Sequence, residues 1–283
     1  MDFFSLLETS CKEKDTLLCV GLDPRIPPFA DDSVVPKILE ENSRIIEETL
    51  PYAACYKPNI AFYEALGPQG LVLLADTLKL IPRSTPVILD AKRGDIGSTA
   101  EAYAAALFDY FKVDAVTLSP YMGYSSSEPF LKRTEKGLFF LVRTSNPGAE
   151  RIQELMVDLS TFAPSGSVEG NPSVVNQGNG KEAGPLYLAL AGEIASWGTN
   201  VGFVVAGNIP KALTAVRARF PKQWILAPGI GAQGGRAEDA VPCGIRDDGL
   251  GLLPVVARSI TTDPHPGEKA HQFRDEINRA RDR

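Results

Sequence analysis

The chain has 283 residues, of which 44% are hydrophobic and 23% charged, and its formal net charge is −6. This composition is ordinary for a globular protein, and the length suits either one large α/β barrel or two smaller domains. An acidic balance argues against a nucleic-acid-binding role, which needs basic patches, although a local positive pocket can still bind a small anion.

The N-terminal segment, MDFFSLLETSCKEKD, has no basic region ahead of an apolar stretch. It therefore predicts a short amphipathic helix and not a signal peptide. No apolar run approaches the ~20 residues of a membrane span, so no membrane association is expected. The cysteines are too far apart in the sequence for a CxxC motif, and they are typical of reduced thiols in a cytoplasmic protein.

Short apolar runs, each followed by a helix-like stretch, recur along the chain. These runs are Thr16–Gly21, Ala53–Lys57, Pro86–Ala91, Asp114–Ser119, Gly137–Arg143, Asn200–Ala206, Gln223–Pro228 and Leu252–Arg258. Continuous apolar strands that alternate with helices indicate a parallel sheet covered on both faces. Eight such units favour a closed (β/α)8 TIM barrel of the α/β class. The alternative, a doubly wound open sheet, normally has a glycine-rich phosphate loop after the first strand, and that motif is absent here.

Helical patterns lie between several of these runs. They cover Val35–Leu50, Ser98–Phe111, Pro185–Gly198, Pro210–Arg219 and the polar segment Glu268–Arg281, which could close the outer ring of the barrel. A segment rich in Gly, Asn, Ser and Pro, at about residues 160–184, interrupts the rhythm. It predicts a long loop inserted into a single barrel domain of residues 1–283, with a disordered insertion of no function as the alternative.

The densest group of charged residues is Leu89–Thr99, which follows an apolar strand. In an extended strand Asp90 and Lys92 point the same way, towards the active-site face of a barrel, with Asp95 just beyond. A surface ion pair is the structural alternative. The two histidines lie near the C-terminus, so catalysis in the main body must use Lys, Asp, Glu, Arg or backbone groups.

The pattern Asp90, Lys92, Asp95, Ile96, Thr99 resembles the DxKxxDIxxT signature of orotidine 5'-phosphate decarboxylases, in the form found in the longer-chain bacterial subfamily. The resemblance extends to other predicted strand ends. These carry the motifs Gly-Leu-Asp23-Pro, Tyr-Lys57-Pro-Asn, Thr-Ser145-Asn-Pro-Gly, Ala-Pro228-Gly-Ile-Gly-Ala-Gln233-Gly234-Gly and Ala-Arg258-Ser-Ile. The chain differs from shorter members of this family at the insertion of about residues 160–184, at Arg93-Gly94 and at Ala257.

The resemblance implies decarboxylation of orotidine 5'-phosphate to UMP, the last step of de novo pyrimidine nucleotide synthesis, without a metal or cofactor. The expected catalytic residues are Lys92 as proton donor, with Asp90, Asp95 and Lys57. An alternating array of charges keeps each member ionised, and a fixed ammonium can stabilise the developing carbanion and then protonate it. The expected substrate-binding residues are Asp23, Ile96, Thr99, Ser145, Pro228, Gln233, Gly234 and Arg258.

Arg258 is the expected phosphate ligand, because it follows the eighth strand, where TIM barrels often bind phosphate. The resemblance assigns the pyrimidine edge to Ser145 and the ribose to Asp23 and Lys57. It also implies a homodimer in which Asp95, Ile96 and Thr99 complete the partner's site. Two alternatives remain open: a metal-dependent sugar-phosphate decarboxylase or synthase of the same superfamily, and a non-catalytic nucleotide-binding barrel.

Overall fold

The computed structural model describes residues 1–25, 33–159 and 182–282. Within these ranges the strands are β1 (Cys19–Leu22), β2 (Cys55–Pro58), β3 (Ile88–Arg93), β4 (Ala115–Leu118), β5 (Gly137–Arg143), β6 (Met156–Asp158), β7 (Ala183–Pro185), β8 (Val201–Val205), β9 (Ile225–Ala227) and β10 (Leu252–Val256). Each of the apolar runs identified in the sequence overlaps one strand of the main sheet, so those predictions are confirmed, with carboxyl ends that differ by one or two residues in β1, β2 and β3.

The main sheet has eight parallel strands in the order β2-β1-β10-β9-β8-β5-β4-β3. Isolated parallel bridges, Tyr56 to Val87 and Asn59 to Asp90, link the two end strands and bring the sheet round into a barrel. The predicted (β/α)8 TIM barrel is therefore confirmed, and the open-sheet alternative is wrong. Because all pairs are parallel, the carboxyl ends of the strands share one rim of the barrel.

Burial on both faces explains why these strands read as continuous apolar runs. Every residue of β1, β4, β8 and β10 is buried, since one face points into the barrel and the other packs against helices. The largest fully buried side chains include Tyr56, Phe139 and Phe203.

The helices surround the strands. They are α1 (Phe3–Glu13), α2 (Val34–Thr49), α3 (Ile60–Glu64), α4 (Gly67–Leu80), α5 (Gly97–Ala105, continued by a π-helical turn at Ala106–Tyr110), α6 (Tyr124–Leu131), α7 (Glu150–Gln153), α8 (Leu186–Ala195), α9 (Pro210–Arg219), α10 (Ala237–Gly244), α11 (Arg258–Thr261) and α12 (Pro266–Arg281). As predicted, α12 packs against both α10 and α2 and so completes the outer ring.

The predicted N-terminal helix is α1, which covers the amino-terminal end of the barrel. The Ser10 hydroxyl donates to the carbonyl of Ala54, just before β2, over 2.7 Å. Phe3 packs edge-on against Phe139 of β5, with ring centroids 5.9 Å apart. With this end covered, the opposite rim is the open one.

The predicted insertion at 160–184 lies largely outside the described residues. Its flanks form a two-stranded antiparallel ribbon, β6 with β7, in which Met156 pairs with Pro185. Pro185 therefore ends a strand and does not begin the following helix, which starts at Leu186. The assignment of residues 1–283 to a single domain stays a prediction.

Candidate active site

A cavity of about 440 Å³ opens at the carboxyl ends of the barrel strands. It brings together most of the residues selected from the sequence. These are Asp23, Lys57, Asp90, Lys92, Ser145, Pro228, Gln233 and Arg258. They lie on or just after six different strands, so only barrel closure makes them neighbours.

A second cavity, of about 480 Å³, lies near the amino ends of β3 and β4 and contains none of the residues selected from the sequence. Its wall includes Lys79, Arg83, Lys112 and Asp114. The two cavities have similar volumes, so volume alone does not identify the active site. The linked charges described next occur in the first one, at the rim where TIM barrels carry their active sites.

Three of the predicted catalytic residues form one chain of ion pairs. Asp90 Oδ2 lies 2.9 Å from Lys57 Nζ, and Asp90 Oδ1 lies 2.6 Å from Lys92 Nζ. The Lys57 and Asp90 side chains are 6% and 12% exposed, whereas Lys92 is 49% exposed. The array therefore has a buried end, at Lys57, and an accessible end, at Lys92.

The electrostatics keep the buried pair ionised. Burial favours the neutral carboxyl of Asp90, but the charges of Lys57 and Lys92 outweigh it and hold the pKa of Asp90 below its usual value. Burial likewise opposes the charge on Lys57, yet Asp90 and Asp23 raise the pKa of Lys57 above its usual value. Opposite charges at close range thus overcome desolvation at both residues.

Asp23 has a buried oxygen that the described residues leave unsatisfied. Its Oδ1 atom has no hydrogen-bond partner among them. Burial raises the pKa of Asp23, although Lys57 partly opposes this shift. A buried acceptor without a donor is uncommon in folded proteins, so this oxygen can accept a hydrogen bond from a bound ligand.

The peptide geometry at Lys92 corrects one step of the sequence argument. Asp90 and Lys92 do both reach the cavity, but not because β3 is regularly extended. Leu89 pairs with Val116 and Arg93 with Leu118, so β3 carries extra residues in a bulge. Within it Lys92 has a φ of 46°, a left-handed conformation that costs a non-glycine residue roughly 1–3 kcal/mol. Bulges next to active sites re-aim side chains in this way.

The other side of the cavity mouth is formed by the loops after β9 and β10. Arg258 begins α11, is exposed, and has no ion-pair partner among the described residues. Gln233 Oε1 accepts a hydrogen bond of 3.1 Å from the Ser145 hydroxyl across the mouth. Gly229 and Gly231 have φ values of 100° and 79°, which only glycine adopts readily, so the backbone can turn sharply in the loop after β9.

Four of the residues selected from the sequence do not line this cavity. Ile96 is 59% exposed, Thr99 is also exposed, and Asp95 accepts a 2.8 Å hydrogen bond from the Ile96 amide. Gly234 lines a separate shallow depression with the start of α10. Asp95 has no ion-pair partner in the described part of the chain, so within one subunit the charge array ends at Lys92.

The cavity also contains residues that the sequence analysis did not select. Thr117 of β4 binds Asp90, and Asn59, Thr144 and Gln153 lie on the wall. A lone polar residue within the apolar run of β4 was a usable signal for Thr117. No sequence pattern predicted a role for Gln153, because α7 is a short helix after a loop and only the tertiary structure brings it to the cavity.

Within the described ranges, no group of three or more His, Cys, Asp or Glu side chains is arranged to hold a metal ion. The described cysteines are all free, and Cys11, Cys19 and Cys55 are buried. The cavity thus presents ammonium, guanidinium and carboxylate groups as its reactive chemistry.

Comparison with known proteins places this geometry in a family. The family model for the orotidine 5'-phosphate decarboxylase / HUMPS family matches residues 16–273. The orotidine 5'-phosphate decarboxylase of Thermomicrobium roseum is 42% identical over 289 aligned positions, covering 100% of this chain and 94% of its own.

Solved structures agree. Leishmania donovani OMP decarboxylase is 38% identical with a TM-score of 0.83, and the match covers 100% of both chains. Leishmania donovani UMP synthase is 40% identical with a TM-score of 0.85, covering 99% of this chain but only 57% of that longer one. The family model, the full-length sequence match and the shared barrel lead to one conclusion: this chain belongs to the orotidine 5'-phosphate decarboxylase / HUMPS family.

Proposed function

We propose that this protein decarboxylates orotidine 5'-phosphate to UMP, using its own charged side chains and no metal or organic cofactor. The observation that carries the proposal is the Lys57–Asp90–Lys92 array, buried at one end and open to a 440 Å³ cavity at the other. The relatives matching over the full chain are named for this activity.

The reaction explains why such an array is useful. Loss of CO2 from the substrate leaves a carbanion at C6 of the pyrimidine, with no easy route to delocalise the charge. An ammonium already held in place stabilises that charge as it develops, without having to reorganise. Asp90 holds the Lys92 ammonium at 2.6 Å, which supports this role for Lys92.

Lys92 is also the group best suited to protonate the carbanion. Its side chain is half exposed at the cavity, whereas Lys57 is almost completely buried behind Asp90. An ammonium has three protons, so Lys92 can keep its bond to Asp90 while donating another proton to the substrate. Lys57 then keeps Asp90 ionised from behind.

The remaining residues of the cavity are suited to bind different parts of the substrate. Arg258 is exposed and has no carboxylate partner among the residues that the structure describes. It is therefore suited to the phosphate, which a guanidinium can bind through two parallel hydrogen bonds. The unpaired Oδ1 of Asp23 is suited to accept from a ribose hydroxyl. Ser145 is suited to the pyrimidine edge, and Gln233, which accepts a 3.1 Å hydrogen bond from it, is suited to the phosphate side. Pro228 also lines the cavity.

The site is completed, in this proposal, by a second copy of the chain. Asp95, Ile96 and Thr99 lie outside their own cavity, and Asp95 has no ion-pair partner in the described residues. The exposed apolar side chains of Ile96, Tyr121 and Met122 lie in the adjoining loops after β3 and β4. These exposed apolar side chains support a homodimer. In that homodimer, Asp95, Ile96 and Thr99 of one subunit lie in the active site of the other.

The experiment that tests the proposal follows the loss of orotidine 5'-phosphate by ultraviolet absorbance, with EDTA present throughout. We expect conversion to UMP and CO2 at a rate that EDTA does not change. No conversion of orotidine 5'-phosphate, together with an EDTA-sensitive activity on a sugar phosphate, would favour a metal-dependent sugar-phosphate decarboxylase or synthase of the same superfamily instead. Binding of UMP without any turnover would favour a non-catalytic nucleotide-binding barrel.

A further inference from the structure

The bulge in β3 leaves three residues opposite one. Between the pairs Leu89–Val116 and Arg93–Leu118, the segment 90–92 of β3 faces Thr117 of β4 alone. Regular ladder hydrogen bonds cannot form across such a mismatch, so the amides within the bulge need another acceptor. Thr117 is 2% exposed, so water does not readily supply one.

The Thr117 hydroxyl supplies the acceptor for two of these amides. Its Oγ1 accepts from the amides of Ala91 and Lys92, at 3.0 and 2.9 Å. The same hydroxyl donates to Asp90 Oδ1 over 2.8 Å. A hydroxyl has one proton to donate and two lone pairs to accept with, so all of its hydrogen-bonding capacity is used on this bulge.

These bonds fix both charged groups of the array at once. Asp90 Oδ1 accepts hydrogen bonds from Thr117 and Lys92, and Asp90 Oδ2 accepts one from Lys57. Together these bonds determine the plane of the carboxylate. The Lys92 amide bond holds the residue that has a φ of 46°. Without an acceptor there, the left-handed backbone that aims the Lys92 side chain loses one of the hydrogen bonds that hold it.

We propose that Thr117 is a positioning residue for the decarboxylation: its hydroxyl locks the β3 bulge and the Asp90 carboxylate so that the Lys92 ammonium meets the reacting carbon. This inference rests on the proposed function. Thr117 acts through Asp90 and Lys92 and needs no contact with the substrate. Its removal therefore affects the chemical step more than binding, because phosphate and ribose contacts lie on other strands.

The test begins with Thr117→Val, which keeps the shape of the side chain and removes the hydroxyl. We expect kcat to fall by about 10- to 100-fold, since small misplacements of a catalytic group have effects of this size. KM and the dissociation constant of UMP should change little. Thr117→Ser restores the hydroxyl, and we expect it to recover most of the lost kcat.

Thr16→Val is the matched control. The buried Thr16 hydroxyl also accepts from a backbone amide, of Leu18 at 3.1 Å, and donates to a carbonyl, of Tyr52 at 2.8 Å, but at the other end of the barrel. We expect this variant to lose stability with kcat unchanged. If Thr117→Val does not fold, the pair Thr117→Ser and Thr117→Cys replaces it, because they differ mainly in hydrogen-bonding strength.

Two results would overturn the inference while leaving the proposed function intact: a Thr117→Val enzyme with wild-type kcat, or a Thr117→Ser enzyme as impaired as Thr117→Val. A loss that appears equally in KM, in UMP affinity and in the Thr16→Val control would also overturn it, by indicating general destabilisation. Absence of decarboxylation in the wild-type protein would instead reject the proposed function itself.

Discussion

Lys92 combines two properties that conflict in an ordinary surface lysine. Its side chain is half exposed, yet its ammonium is fixed by a 2.6 Å bond to Asp90 and its backbone is held in a left-handed conformation. Strain of this kind persists only where the surrounding structure over-determines it. The bonds from the Lys92 amide to Thr117 and from its ammonium to Asp90 are that surrounding structure.

Replacing Lys92 tests the proposed proton donor. We expect Lys92→Ala to lower kcat by many orders of magnitude, because it removes both the stabilising charge and the proton, while binding of UMP weakens far less. The ultraviolet assay measures kcat, and titration with UMP measures the dissociation constant of UMP. Lys79→Ala, which removes an exposed lysine paired with Asp76 far from the cavity, should behave as wild type. A Lys92→Ala enzyme retaining about a tenth of wild-type kcat would contradict the role.

Asp23 offers a prediction about stability against pH. Burial raises its folded-state pKa above the unfolded value, so the ionised carboxylate opposes folding at neutral pH, and this cost disappears as pH falls through the folded pKa. We therefore expect Asp23→Asn to be more stable than wild type at pH 7 and to lose that advantage in acid. Urea unfolding at several pH values measures the difference. A constant difference at all pH values would exclude this explanation.

At the scale of elements, the site depends on loops that follow the strands. The loops after β9 and β10 carry Gln233 and Arg258, while β2 and β3 carry the charge array on the other side of the mouth. The proposed phosphate ligand and the proposed catalytic array therefore lie on separate elements. This separation lets Arg258 be replaced without touching the charge array, so its proposed role can be tested by itself.

We expect Arg258→Ala to raise KM for orotidine 5'-phosphate, because a charge-assisted hydrogen bond contributes roughly 1.5–3 kcal/mol, or about 10- to 150-fold. Remote binding energy also supports the chemical step, so kcat/KM should fall further than KM rises. The nucleoside orotidine, which lacks the phosphate, should hardly distinguish wild type from variant.

Arg236→Ala is the control for Arg258. Arg236 is an exposed arginine in the neighbouring loop before α10, paired with Glu238 and outside the cavity. It should leave both substrates unaffected. Equal losses on orotidine 5'-phosphate and orotidine in Arg258→Ala would indicate a structural role for Arg258.

At the scale of the whole molecule, exposed apolar side chains support the proposed homodimer. The loops after β3 and β4 expose Ile96, Tyr121 and Met122, and Tyr121 is 92% exposed. Surface patches of this kind mark interaction sites in many proteins.

Among the helices of the described ranges, none has both the length and the apolar composition that a membrane span requires.

The shared site can be tested with two inactive proteins, Lys92→Ala and Asp95→Asn, mixed under conditions that exchange subunits. In a mixed dimer one site carries both defects and the other carries neither. With random pairing, activity should recover to about a quarter of wild type. No recovery, with exchange verified by a labelled subunit, would mean that Asp95 serves its own cavity.

The sequence by itself determined the strands of the barrel and identified the charged residues at their ends. Strands of a parallel barrel are buried on both faces, so each one is a continuous apolar run that can be recognised without knowledge of its neighbours. The charged residues Lys57, Asp90 and Lys92 could be identified for the same reason: each lies within the last two residues of such a run or directly after it, and the carboxyl ends of parallel strands meet at one rim.

Only the tertiary structure decided how these residues meet. The bulge in β3 depends on a register mismatch with β4, which no local pattern of β3 records, and it makes Thr117 a partner of Asp90. The unpaired oxygen of Asp23 likewise depends on what packs around it. Local periodicity fixes what each segment is, whereas distances between segments far apart in sequence are set by barrel closure and strand register.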